Sequence, residues 1–303
     1  MLEIIKAIIY GIVEGITEWL PISSTGHLIL VERLIPFQET SEGFFDMFDV
    51  VIQLGAILAV VVLFWNKIWP FYMKKNQQTK KGGIVRSKKD FTVGNVALSM
   101  DAFWMWVKIV VACIPAVVYG LLFDDAVSEA FKKEIGTSGV TVQVIVVAVM
   151  LVLVGVLFIV IENWNKNRVP TTTILSQLTY RDALIIGFCQ LVAAALPGTS
   201  RSGATILGAI MIGISRTVAA EFTFFLAIPV MFGASLLKVL KFGFAVRETE
   251  LACLLVGTVI SFIVSLFVLR FLMGYIKKHD FKVFGWYRIV LGIIVLLYFL
   301  VFA

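Results

Sequence analysis

The chain has 303 residues, of which 60% are hydrophobic and only 15% charged, and its mean hydropathy is +0.97. Soluble domains hold roughly 45–50% apolar residues, so this composition excludes an ordinary soluble protein and implies one embedded in a membrane. The net charge of +6 implies no nucleic-acid partner, because the basic residues gather between apolar runs, where membrane topology accounts for them.

Several runs reach the ~20 residues that a helix needs to cross a ~30 Å hydrocarbon layer, and none alternates with the period of a barrel strand, so the expected fold is all-α. Residues 1–35 are apolar but interrupted within "ITEWLPISSTGH" (16–27). Glu3, Glu14 and Glu18 break the continuous core that a cleavable signal peptide needs, so this segment is expected to belong to the mature protein. Residues 36–45 carry Glu39 and Glu42 and no base. The first full span, 46–65, leads into a loop (66–101) holding Lys67, Lys74, Lys75, Lys80, Lys81, Arg86, Lys88 and Lys89. The positive-inside rule sets that loop in the cytoplasm. Spans 102–123 and 139–161 then flank an acidic external loop (124–138), and the loop 162–181 with Lys166, Arg168 and Arg181 returns to the cytoplasm. A second broken region, 182–214, precedes spans 221–240, 250–273 and 286–303. Lys277, Lys278 and Lys282 between the last two are again cytoplasmic; His279 among them reads as topology. Cys113, Cys189 and Cys253 fall singly in apolar runs, with no disulfide or metal spacing, and are expected to be small buried hydrophobes.

The broken regions resemble each other. At an offset of 176, "GIVEGITEWLPISS" (11–24) lies over "GFCQLVAAALPGTS" (187–200), matching Gly11 to Gly187, Pro21 to Pro197, Ser23 to Thr199 and Ser24 to Ser200. After a slip of two, "GAIL" (55–58) lies over "GASL" (233–236). Three crossings separate the copies, so they have opposite orientations. This predicts an inverted repeat with six full transmembrane helices and two re-entrant hairpins, 1–35 and 182–214, meeting near the midplane around a polar chamber.

Glu14 and Glu18 lie four apart on one helix face, where like charges repel unless neutralised. A divalent cation does this, and oxygen ligands without Cys or paired His favour Mg²⁺, Ca²⁺ or Mn²⁺; an interfacial helix with its acids in water is the alternative. Ser23, Ser24, Thr25 and Gly26 start the next helix, whose free N–H groups suit an anion. "PGTSRSGAT" (197–205) repeats the device with Thr199, Ser200 and Ser202 and adds Arg201, whose planar fork matches phosphate oxygens. His27, one turn from Ser24, is placed to exchange a proton near neutral pH. Asp49, Gln53, Arg216 and Glu221 are further polar residues in apolar surroundings.

"EGITEWLPISSTGH" (14–27), "FDVVIQLGAILAVVVLFW" (48–65), "LTYRDALIIGF" (178–188), "LPGTSRSGAT" (196–205) and "SRTVAAEFTFFLAIP" (215–229) closely resemble the undecaprenyl-diphosphate phosphatase family, also called the bacitracin-resistance family. The resemblance runs nearly end to end. It implies a bacterial inner-membrane enzyme, its site facing outward, that hydrolyses undecaprenyl diphosphate to the monophosphate and so recycles the lipid carrier of cell-wall synthesis. Glu14 and Glu18 would then hold a metal or activate water. Arg201 would clamp the diphosphate, Ser200, Ser202 and Thr205 would bind its oxygens, and Ser24 and His27 would be the reactive pair. Ser24 is the preferred nucleophile; a phosphohistidine at His27 and water activated by Glu18 are the alternatives. Inverted repeats with broken helices also build secondary carriers, so a transporter or flippase of a polyprenyl phosphate is the rival. The sequence admits a homo-oligomer.

Overall fold

The computed structural model describes residues 1–73, 90–93, 95–132, 134–135, 140–243 and 246–302. Helices dominate them: α1 (Leu2–Thr17), α2 (Ser24–Leu34), α3 (Phe44–Ile68), α4 (Met100–Lys132), α5 (Val142–Asn165), α6 (Tyr180–Ala195), α7 (Arg201–Met211), α8 (Arg216–Phe242), α9 (Glu248–Tyr275) and α10 (Lys282–Phe302). Six of these, α3, α4, α5, α8, α9 and α10, are long and apolar enough to cross a membrane. They coincide with the six expected spans, and the chain is a multi-pass membrane protein.

Two expected loops differ in detail. The ends of 66–101 pair as an antiparallel sheet of three short strands, β1 (Phe71–Met73), β2 (Phe91–Val93) and β3 (Val96–Leu98), in the order β1-β3-β2. Lys74 to Lys89 lie outside the described residues. The acidic loop expected after 123 begins as helix, since α4 runs on to Lys132; a segment lacking Gly and Pro has nothing to stop it.

The two broken regions fold as hairpins of matching size. α1 and α6 have 16 residues, α2 and α7 have 11. At 1.5 Å per residue the longer arms reach ~24 Å, short of a ~30 Å hydrocarbon layer. Between the arms Pro21 and Pro197 supply no N–H to continue a helix. The pairings of the other helices repeat as well. α1 packs on α9 as α6 packs on α4, while α3 lies against its own counterpart α8 and α5 against α10. One close contact repeats too: a Cβ on Gly11 would lie 2.6 Å from the Gly257 carbonyl oxygen on α9, and one on Gly187 2.4 Å from that of Ala112 on α4. The inverted repeat thus spans five helices in each half.

The registration shifts at the breaks. Ser23 and Ser200 are the N-caps of α2 and α7, and they alone among the described non-glycine residues have positive φ, 74° and 68°. Because "PGTS" holds one residue more than "PIS", the offset becomes 177 beyond the proline. Ser24 therefore corresponds to Arg201 and Gly26 to Gly203, not Ser24 to Ser200. The later match is one of sequence only: a Cβ on Gly55 would sit 2.1 Å from the Thr258 oxygen of α9, whereas Gly233 has nothing within 4 Å.

Gly55→Ala forces α3 off α9 and is expected to cost about 1–3 kcal/mol, the usual penalty of overpacking, seen as a lower unfolding midpoint in detergent. Gly120→Ala, at a position with open space around it, should leave the midpoint unchanged or raise it.

Candidate functional site

α1 delivers Glu18 as its C-cap, at the edge of the first break. Its two carboxylate oxygens reach across the protein in different directions. Oε1 accepts from Arg201 Nη2 at 2.9 Å, and Oε2 accepts from the Ser24 hydroxyl at 3.0 Å. One carboxylate thereby joins the hydroxyl of the first half to the guanidinium of the second, with Glu18 only 7% exposed. Arg201 also donates to the Thr223 carbonyl on α8 at 3.4 Å and lies 6.0 Å over the Trp19 ring. The expected meeting of Glu18 and Arg201 is therefore present.

The hydroxyls of the second break are occupied within the protein. Ser200 accepts from the Gly203 N–H at 3.1 Å and so caps α7. Ser202 donates to the Glu18 carbonyl oxygen at 3.2 Å, which leaves Ser200 as donor in the 3.1 Å bond between the two hydroxyls. Thr199 donates to Leu196 O, and Thr205 to Arg201 O while accepting from Thr223. The first break differs: Ser23 makes no side-chain cap, and its buried Oγ has no partner. Thr25 and Gly26 complete a first turn of α2 whose amides no side chain caps.

Ser24 and His27 do not bond to each other. His27 Nδ1 lies 2.8 Å from the Ser23 carbonyl oxygen, which can only accept, so Nδ1 carries a proton. In the neutral ring Nε2 then accepts from the Tyr287 hydroxyl at 2.7 Å, and the two rings stack within 8° of parallel. Glu18, rather than His27, is the group within reach of the Ser24 hydroxyl. Sequence inspection missed Tyr287 and its neighbour Arg288, which lies fully buried beneath both breaks. The available signal was an arginine, "WYRIV" (286–290), inside an otherwise apolar span.

Glu14, one turn before Glu18, is fully buried with neither carboxylate oxygen bonded. Asp49 on α3 likewise has a buried, unbonded Oδ1. Arg216 and Glu221 belong to other contacts: Arg216 pairs with Glu162, whose carboxylate also accepts from the Phe281 N–H, and Glu221 takes Lys67 Nζ at 2.6 Å. No group of three or more His, Cys, Asp or Glu with metal-binding geometry occurs among the described residues. A cavity of about 460 Å³ descends between α2, α3, α5 and α10 to Thr25, beside Ser24, and is lined by Glu32, Asp46 and Asp49.

A hydroxyl held by a carboxylate, a guanidinium on the same carboxylate and an open helix N-terminus are groups suited to phosphoryl chemistry. They form the buried centre of an inverted-repeat membrane protein. The family model described as bacitracin resistance protein BacA matches residues 7–294. Among curated relatives, the undecaprenyl-diphosphatases of Desulfitobacterium hafniense and Acetivibrio thermocellus are 56% and 55% identical, covering 99% of this chain and 97% and 99% of their own lengths. That of Enterococcus faecalis is 54% identical over 98% of this chain and 97% of its own. The chain belongs to the bacitracin resistance protein BacA family.

Tyr287→Phe keeps the ring stack and removes one hydrogen bond to His27. A net hydrogen bond is worth about 0.5–1.5 kcal/mol of stability, so the unfolding midpoint in detergent should fall by a correspondingly small amount, while a phosphate-release assay should show kcat/KM lowered by no more than roughly tenfold in the folded protein.

Proposed function

We propose that the chain hydrolyses undecaprenyl diphosphate to undecaprenyl phosphate and inorganic phosphate, recycling the lipid carrier for cell-wall synthesis and giving resistance to bacitracin. The membership of the family and the names of its relatives support the reaction. The observation that carries the mechanism is the bridging of Ser24 and Arg201 by the two oxygens of Glu18. Ser24 Oγ attacks the terminal phosphorus as Glu18 Oε2 takes its proton, and the bond from that phosphorus to the bridging oxygen breaks. Undecaprenyl phosphate leaves. Water then attacks the phosphorus of the phosphoserine as Glu18 Oε2 returns its proton to the departing Ser24 oxygen, which restores the hydroxyl and releases inorganic phosphate. Arg201 and the first-turn amides of α2 stabilise charge on the transferring oxygens. His27, bonded to the Ser23 carbonyl, holds the turn that presents Ser24.

Glu14 fits a hard cation, because two buried carboxylate oxygens without a partner, one turn from Glu18, are ligands of the right chemistry. We assign Glu14 and Glu18 to Mg²⁺ or Ca²⁺. Such a cation, when bound, would neutralise charge on the diphosphate.

The charge distribution supports a site opening on the outer side of the cytoplasmic membrane. The cavity beside Ser24 reaches the bundle end carrying three acids, Glu32, Asp46 and Asp49, against one base, Arg33, whereas Lys166, Arg168, Arg216 and Lys277 line the cavity at the other end of α5. By the positive-inside rule the second end is cytoplasmic.

Purified protein in detergent with Mg²⁺ and a polyprenyl diphosphate should release phosphate. Ser24→Ala, Glu18→Gln and Arg201→Ala should each lower kcat by about 10³-fold or more, the scale attached to a transition-state arginine. Label from the terminal phosphate should be trapped on Ser24 by acid quenching. Turnover with no trapped label would favour direct attack by water, and an intact diphosphate would return the rival carrier. Chelation should abolish release, and Mg²⁺ or Ca²⁺ should restore it; full activity in chelator would remove the cation from the mechanism.

A further inference from the structure

Arg288, on α10, is completely buried, and none of its hydrogen bonds goes to a carboxylate. Its guanidinium instead binds main-chain carbonyl oxygens of both broken helices. Nη1 donates to Pro21 O at 3.2 Å, and Nη2 to Gly198 O at 2.8 Å and Thr199 O at 3.0 Å, with Met150 O of α5 at 3.5 Å. Nε has no partner. Pro21 precedes Ser23 by two residues, and Gly198 and Thr199 precede Ser200 by two and one. One side chain therefore fastens the residues leading into both N-caps, the two positions held at positive φ. An arginine kept in an apolar bundle without a counter-charge is costly, and such residues mark functional centres. Its approach to α7 is close: a Cβ added at Gly203 would lie 3.4 Å from Nη1.

We propose that Arg288 is a positioning residue for the hydrolysis, a clasp that sets the turn bearing Ser24 at a fixed distance from the turn bearing Arg201. The inference rests on the reading that these two residues act on one diphosphate. The planar fork suits this role because the acceptors diverge, Pro21 O on one side and Gly198 O and Thr199 O on the other; a lysine ammonium keeps the charge but is compact and without that fork. The clasp also places a second positive charge behind the α7 N-terminus, where it adds to the attraction for an anion without touching it.

Two variants of the full-length protein test this, Arg288→Met and Arg288→Lys, assayed for phosphate release from a polyprenyl diphosphate in detergent. A displacement of about 1 Å between reacting groups costs on the order of 10²-fold. Arg288→Met should therefore lose about 10²-fold in kcat with KM changed less than about threefold, and Arg288→Lys should recover part of that loss. Amide hydrogen exchange on the folded Arg288→Lys protein should show faster exchange in residues 22–26 and 199–203 together, since one side chain serves both breaks. Should Arg288→Met fail to fold, the Lys variant carries the test. Wild-type kcat in either folded variant, a loss confined to KM, or faster exchange in one break only would overturn the proposal. Absence of phosphate release from the wild type would instead refute the hydrolase reading, and this inference with it.

Discussion

A helix broken inside an apolar bundle leaves backbone N–H and C=O groups that no solvent can pair, each costing several kcal/mol if left alone. The structure meets this constraint by making each break satisfy the other. The Glu18 carbonyl at the first break is taken by Ser202 of the second, and the carbonyls of Pro21, Gly198 and Thr199 converge on Arg288. Ser200 caps its own helix. What stays open is the first turn of α2, where Ser23 makes no cap. Amides therefore stay without a side-chain cap there, beside the Ser24 hydroxyl that Glu18 holds.

The halves are alike in packing and unlike in charge. Gly11 and Gly187 seat their arms in equivalent ways, yet Glu14 is matched by Gln190, Glu18 by Ala194 and Ser24 by Arg201. Two identical arms inserted tip to tip would set four carboxylates around one point, and such an arrangement repels both itself and a diphosphate. Substituting an arginine and neutral residues in the second arm turns the repulsion into the Glu18–Arg201 pair. One likeness survives the change of charge: Gln190, like Glu14, is buried with its side-chain polar atoms unbonded.

How much of this the sequence carried depended on range. Length and hydropathy reveal the six spans because crossing hydrocarbon is a local requirement, met within each run. Proline and a polar cluster likewise reveal both breaks, and the odd number of spans between them reveals their opposed insertion. Glu18 and Arg201 were legible as partners only through that topology, since 183 positions separate them. Pairings set by side-chain direction were not legible. Ser24 and His27 share a helix one turn apart, but α10 supplies Tyr287, which turns the imidazole away, and the bend at Glu18 supplies the carboxylate that takes Ser24. Arg288 was hidden for the opposite reason, as its partners are backbone carbonyls, which every residue has. The single-residue slip after Pro197 was invisible because serine and threonine stand at both candidate registers.

The same cross-ties bear on the choice between fixed-site chemistry and carriage. A carrier built on an inverted repeat opens its centre to one side and then to the other by moving one set of helices against its counterpart. Here that movement would have to part Glu18 from Arg201, Ser202 from the Glu18 carbonyl, and Arg288 from one of the two breaks. Removing a partner from a buried charge costs about 3–5 kcal/mol, and the guanidinium of Arg288 has no carboxylate to turn to on either side. A centre tied in this way favours one geometry, in which the serine and the arginine keep their separation while a headgroup enters and leaves. For moving a lipid across the bilayer such rigidity is a hindrance. For holding a nucleophile in line with a phosphorus atom it is what the reaction needs, because catalysis gains from groups that do not reorganise as charge develops.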